Sequence, residues 1–79
     1  MTVEDVFEVV RASTAKVLDV DTSVMTMDGT LSDLGANSVD RADIVTQSML
    51  ELQVKVPARE FKDVTDIRSL VGVLQSHVR

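Results

Sequence analysis

The chain has 79 residues, enough for one small domain, because a chain of that length buries only about 60% of its unfolded surface and cannot divide a core in two. Hydrophobic residues make up 44% and charged residues 27%, a globular composition, while the absence of Cys, Trp and Tyr excludes disulfides, thiolate metal sites, a thiol nucleophile and aromatic stacking platforms. Thirteen acidic against eight basic residues give a net charge of −5, the wrong sign for nucleic acid or an anionic membrane and the right one for basic protein partners.

Val3, Val6, Phe7, Val10, Thr14, Val17 and Leu18 recur at steps of three and four, which predicts a helix over 3–18 with Thr2 as N-cap and Asp5 at N3. Residues 19–37 follow, rich in Asp, Thr, Ser and Gly, and read as a long loop pinned by Val20, Val24, Met25, Met27, Leu31 and Leu34. Loops of this length tend to be functional.

A second helix is predicted over 38–52, burying Ile44, Val45, Met49 and Leu52, with Ser48 small enough to face a neighbouring helix. On its outward side Val39, Asp43, Thr46 and Leu50 share a stripe beside Asp40 and Gln47. Val54-Lys55-Val56 alternates like a strand, but three residues without a pairing partner carry little weight. Pro57 fixes φ and lacks an N–H, so the chain breaks there before a short turn around Arg59 to Lys62 that can place Phe61 in the core. Thr65 or Asp66 caps a last helix that repeats Ile67, Leu70, Val71, Leu74 and Val78 on one face and runs to near Arg79. Gly72 inside it costs about 1 kcal/mol relative to Ala unless close helix approach requires it.

The first ten residues carry Glu4, Asp5 and Glu8 where a signal peptide needs a basic start, and no apolar run is long enough to span a bilayer. The expectation is a single domain over 1–79, soluble, cytoplasmic and monomeric, with neither nucleic acid nor membrane as partner. Asp19, Asp21 and Asp28 lack the spacing of a calcium loop, so no metal site is expected. Lone His77 has no triad partner nearby and suits the negative end of the last helix; the four Met residues read as core filler or loop anchors.

The residues most informative about function are Leu34-Gly35-Ala36-Asn37-Ser38-Val39-Asp40, which place a hydroxyl at a helix N-terminus. With Asn37 as N-cap, Ser38 is N1 and Asp40 is N3, so Asn37 and Asp40 can satisfy backbone donors while the Ser38 hydroxyl stays free. Gly35 supplies backbone freedom, and the positive end of the helix tolerates a phosphodiester. From spacing alone Ser38 is an N-cap or an attachment point. Asp40 serves dipole compensation or partner binding equally well.

At these residues the sequence resembles the acyl carrier protein family, whose signature is a Gly-Xaa-Asp-Ser-Leu block, with the serine opening the second helix; here the block reads Gly35-Ala36-Asn37-Ser38-Val39. The resemblance covers nearly the whole chain. It implies an all-α, small four-helix bundle with a long loop between helices 1 and 2 and a short third helix. It also implies 4′-phosphopantetheine, taken from coenzyme A by a phosphopantetheinyl transferase and carried on Ser38. The protein is then a carrier and not an enzyme, and Asn37, Val39, Asp40, Arg41 and Asp43 are the positions implied to meet partner enzymes. The wording of residues 34–44 looks most like the stand-alone carriers of polyketide β-branching cassettes, which hold an acetyl unit for a 3-hydroxy-3-methylglutaryl (HMG) synthase homologue. A ketosynthase or decarboxylase and an acyltransferase are the further partners implied.

Two departures mark this chain within the family: Asn37 replaces the usual Asp, and Arg41 adds a positive charge to a normally acidic helix. Both suggest a dedicated partner set. The tryptophan that marks acceptor carriers is absent, which favours the donor role. Charge is also uneven: residues 19–43 carry Asp19, Asp21, Asp28, Asp33, Asp40 and Asp43 against Arg41, whereas residues 55–79 carry Lys55, Arg59, Lys62, Arg68 and Arg79 against Glu60, Asp63 and Asp66. Such asymmetry can steer a basic partner towards Ser38. Two alternatives stand beside this reading: a carrier for another polyketide or fatty-acid extension pathway, and an unmodified helical interaction module with Ser38 as a cap. A serine hydrolase is disfavoured because activation needs an adjacent base, and the only His lies at the far end of the chain.

Overall fold

A computed structural model describes residues 1–78. Arg79, counted above in the basic half and at the end of the last helix, lies outside the described residues. Three α-helices carry the fold: α1 (Val3–Leu18), α2 (Ser38–Leu52) and α3 (Ile67–His77), with no strand among the described residues. Thus Val54 to Val56 is irregular, although Val56 is buried.

Each helix begins at a reciprocal cap. Thr2 and Asp5 bond each other's amides at α1, Asn37 and Asp40 do so at α2, and Asp66 and Ser69 do so at α3. These bonds hold the carboxylates of Asp5 and Asp66 below the usual range, Asp5 chiefly through the Thr2 amide and Asp66 through the Ser69 hydroxyl. α2 ends with Gln53 in the left-handed region at φ 57°, where its amide and that of Val54 reach back to Leu50 and Met49.

The core is the common ground of the three helices. Val6 and Val10 of α1 meet Ile44 and Leu52 of α2 and Ile67, Leu70, Val71 and Leu74 of α3. Ser48 is fully buried and donates to the Ile44 carbonyl at 2.8 Å, so its hydroxyl is satisfied within its own helix. Gly72 is exposed, and a Cβ built on it meets nothing within 4 Å, so close helix approach does not require the glycine.

Residues 19–37 are more ordered than the sequence suggests, containing 3₁₀ turns at Thr22–Val24 and Ser32–Leu34. Met25 and Leu31 are buried anchors and Met27 and Leu34 pack against the core, but Val20 and Val24 are exposed. The reason is local: Asp21 accepts from the Ser23 amide at 2.9 Å and turns Val24 outward. The segment is fastened to α3 by its backbone. Ile67 N–H donates to the Gly29 carbonyl at 2.9 Å and Arg68 N–H to the Met27 carbonyl at 2.8 Å, satisfying two helix-start amides.

The expected short third helix is a single 3₁₀ turn, Ala58–Phe61. Pro57 precedes it without a side-chain cap bond, and Asp66 caps α3 soon after, so the segment between is short and weakly started. Phe61 packs against the core but is only half-buried. His77, the last residue of α3, lies 2.7 Å from the Glu60 carboxylate and ties the turn to the helix end, a contact that sequence position did not disclose. No helix of the described residues is long and apolar enough to cross a membrane.

Candidate functional site

The approach to α2 is a sequence of tight local bonds. Leu34 N–H and Ala36 N–H both donate to the Leu31 carbonyl, at 3.0 and 3.2 Å, and Gly35 N–H donates to the Ser32 carbonyl at 3.0 Å. Closing this turn puts Gly35 at φ 93°, a region that favours glycine. Ala36 is buried and Leu34 packs on the core, so the turn is anchored from beneath.

Asn37 then caps α2: its Oδ1 accepts from the Asp40 amide at 2.8 Å, and Asp40 Oδ2 accepts from the Asn37 amide at 3.1 Å. The capping role therefore falls to Asn37 and Asp40. Ser38, first residue of the helix, is exposed, and its hydroxyl bonds no backbone amide. Its neighbour is a cation: Arg41 Nη2 donates to Ser38 Oγ at 3.3 Å, while Arg41 Nη1 donates to Ser32 Oγ at 3.0 Å. Sequence placed Arg41 on the helix but could not show that its guanidinium folds back over the serine.

The other residues singled out from sequence divide by role. Val39 and Leu50 are 68% and 67% exposed, and Asp43 and Thr46 are exposed with them, so the outward stripe exists. Asp40 faces the helix start, its carboxylate engaged by backbone. Asp33 is similarly occupied, exchanging bonds with Thr30 at 3.1 and 3.2 Å, which leaves Asp43 as the acid of this region without a backbone duty. No cluster of His, Cys, Asp or Glu suited to a metal occurs among the described residues.

One feature belongs to tertiary structure alone. An open cleft of about 530 Å³ lies between α2 and the Ala58–Phe61 turn, lined by Arg41, Val45, Met49, Val56, Phe61 and Leu70 among others. The walls come from four separate segments, so periodicity within one helix could not reveal it.

An exposed primary hydroxyl, an adjacent guanidinium and the amides at a helix start together suit a phosphate ester on Ser38. Residues 8–74 match the family described as Phosphopantetheine attachment site. The chain is also similar to the polyketide biosynthesis acyl-carrier-protein AcpK of Bacillus subtilis (strain 168), with 36% identity over 75 residues, covering 94% of this chain and 92% of that protein.

Proposed function

Because the chain belongs to the phosphopantetheine-attachment, or acyl carrier, family, whose members carry covalent 4′-phosphopantetheine and are carriers and not catalysts, we propose that Ser38 is its attachment residue. The observation that carries the assignment is the division of labour at the start of α2. Asn37 and Asp40 do the capping, so the Ser38 hydroxyl is exposed and has no structural duty towards the backbone. In the attachment reaction a phosphopantetheinyl transferase moves the group from coenzyme A to Ser38 Oγ, which loses its proton, with adenosine 3′,5′-bisphosphate leaving. The group supplies a thiol at the end of a long arm, able to hold an acyl chain as a thioester. The protein's own residues supply placement: α2 fixes the point of attachment, and Val39, Asp43 and Leu50 offer partner enzymes an apolar and acidic face.

The substrate assignment is a polyketide pathway, supported by the similarity to AcpK over nearly the whole chain. Within it we assign the donor role in β-branching: residues 1–79 act as one monomeric cytoplasmic carrier unit, passing acetyl to an HMG-synthase-like enzyme. A ketosynthase or decarboxylase and an acyltransferase are its other partners, and Asn37 and Arg41 distinguish it from carriers with the common signature. We read the Ala58–Phe61 turn as the counterpart of the short third helix that the family resemblance implies.

Incubation with coenzyme A, Mg²⁺ and a broad-specificity transferase tests the attachment. The intact mass rises by one phosphopantetheine, and Ser38→Ala abolishes the rise; a wild-type protein of unchanged mass refutes the assignment. Loading with acetyl and adding a β-branching synthase tests the donor role, which is refuted if the synthase leaves the acetyl group in place while another extension enzyme removes it.

A further inference from the structure

Arg41 is unusual in its surroundings. It sits in an acidic stretch of the chain, with Asp33, Asp40 and Asp43 close in sequence, yet it forms no ion pair among the described residues. Its two terminal nitrogens are directed instead at two neutral hydroxyls, Ser32 Oγ at 3.0 Å and Ser38 Oγ at 3.3 Å. Of the nearby carboxylates, Asp33 is held by Thr30 and Asp40 by Asn37, and Asp43, which has no backbone bond, forms no ion pair with it. A guanidinium forks rigidly and favours phosphate oxygens, so a cation held against a hydroxyl that is to become a phosphodiester is placed before its anion arrives.

We propose that Arg41, anchored on Ser32, is an intramolecular phosphate clamp that fixes the first atoms of the prosthetic arm. The proposal rests on Ser38 as the attachment residue. Arg41 acts as a positioning residue, not a catalytic one: conversion of Ser38 exchanges a weak bond to a neutral hydroxyl for a charge-assisted contact with a phosphodiester oxygen, and the anion gains the guanidinium already beside it. Ser32 holds the guanidinium in place before and after. The role is separate from partner recognition, because it operates in the isolated protein.

The test uses the phosphopantetheinylated protein without partners, as wild type, Arg41→Gln and Ser32→Ala. Both altered residues are exposed and lie outside the core, and circular dichroism confirms that each variant is folded. Phosphorus NMR reads the phosphodiester directly. In the wild type the resonance is broadened by restricted motion, and added salt narrows it as the ion pair is screened. Arg41→Gln shifts and narrows the line at low salt and removes the salt response, and Ser32→Ala produces a smaller shift in the same direction. The wild-type Arg41 side-chain N–H resonances also move on conversion from the unmodified to the modified protein. Modified protein whose phosphorus spectrum is the same in wild type and both variants overturns the clamp alone. Absence of any mass gain on treatment with coenzyme A and transferase overturns the Ser38 assignment and the clamp with it.

Discussion

Replacing Ser38 and Asn37 separately by alanine distinguishes a structural serine from a chemical one. Asn37 Oδ1 accepts from the Asp40 amide at 2.8 Å, and alanine leaves that donor without its protein partner. The reciprocal bond survives, because Asp40 Oδ2 accepts from the backbone of residue 37. The loss is therefore that of one N-cap side chain, about 1 kcal/mol. Ser38 Oγ receives one bond at 3.3 Å from an exposed guanidinium, and water can replace it on both sides. Alanine is also the better helix former, so Ser38→Ala changes stability by about 0.5 kcal/mol or less in either direction. In a domain of this size about 1 kcal/mol corresponds to roughly 4–8 °C in melting temperature. Asn37→Ala is expected to melt lower by that amount, with Ser38→Ala close to wild type. Without Trp or Tyr the assay is helical circular dichroism, in thermal and urea unfolding, with the urea slope unchanged. A Ser38→Ala protein that melts as low as Asn37→Ala would falsify the division of labour, and the hydroxyl would then be structural.

Two further outcomes follow from the fold. Gly72→Ala places a methyl group where nothing lies within 4 Å on an exposed helical position, and should raise stability by about 1 kcal/mol; a urea midpoint equal to or below wild type contradicts it. The carboxylates of Asp5, Asp21 and Asp66 are all lowered from 3.8 by hydrogen bonds, Asp21 chiefly by the Ser23 hydroxyl. Lowered folded values mean that their contribution is fully present above 3.8 and fades as pH falls below it through those values, because the unfolded chain then binds more protons. The melting temperature should fall on acidification below that point and fall less steeply in Asp66→Asn, which keeps an acceptor oxygen at the cap; a rise on acidification contradicts the assignment.

Local chemistry wrote much of this protein into its sequence. The apolar spacing of α1 and the Asn37-Ser38-Val39-Asp40 order determined helix bounds and caps, because a helix start is decided within four residues. The same four residues, with Gly35, left Ser38 as either a cap or an attachment point, and it was the resemblance at that block that made it the candidate. Val20 and Val24 show the limit of that reading: both look like anchors in composition, and only the Asp21 turn sends Val24 outward.

Only the tertiary structure decided the rest. The docking of the Met27 and Gly29 carbonyls on α3 and the cleft beside α2 each depend on segments that meet only after folding. Arg41 illustrates why. Its place on α2 is fixed by sequence, but a long side chain has several accessible directions, and the one it takes was selected by Ser32, nine residues away on a different turn. The sequence thus nominated the Ser38 hydroxyl, and the folded chain placed a charge beside it.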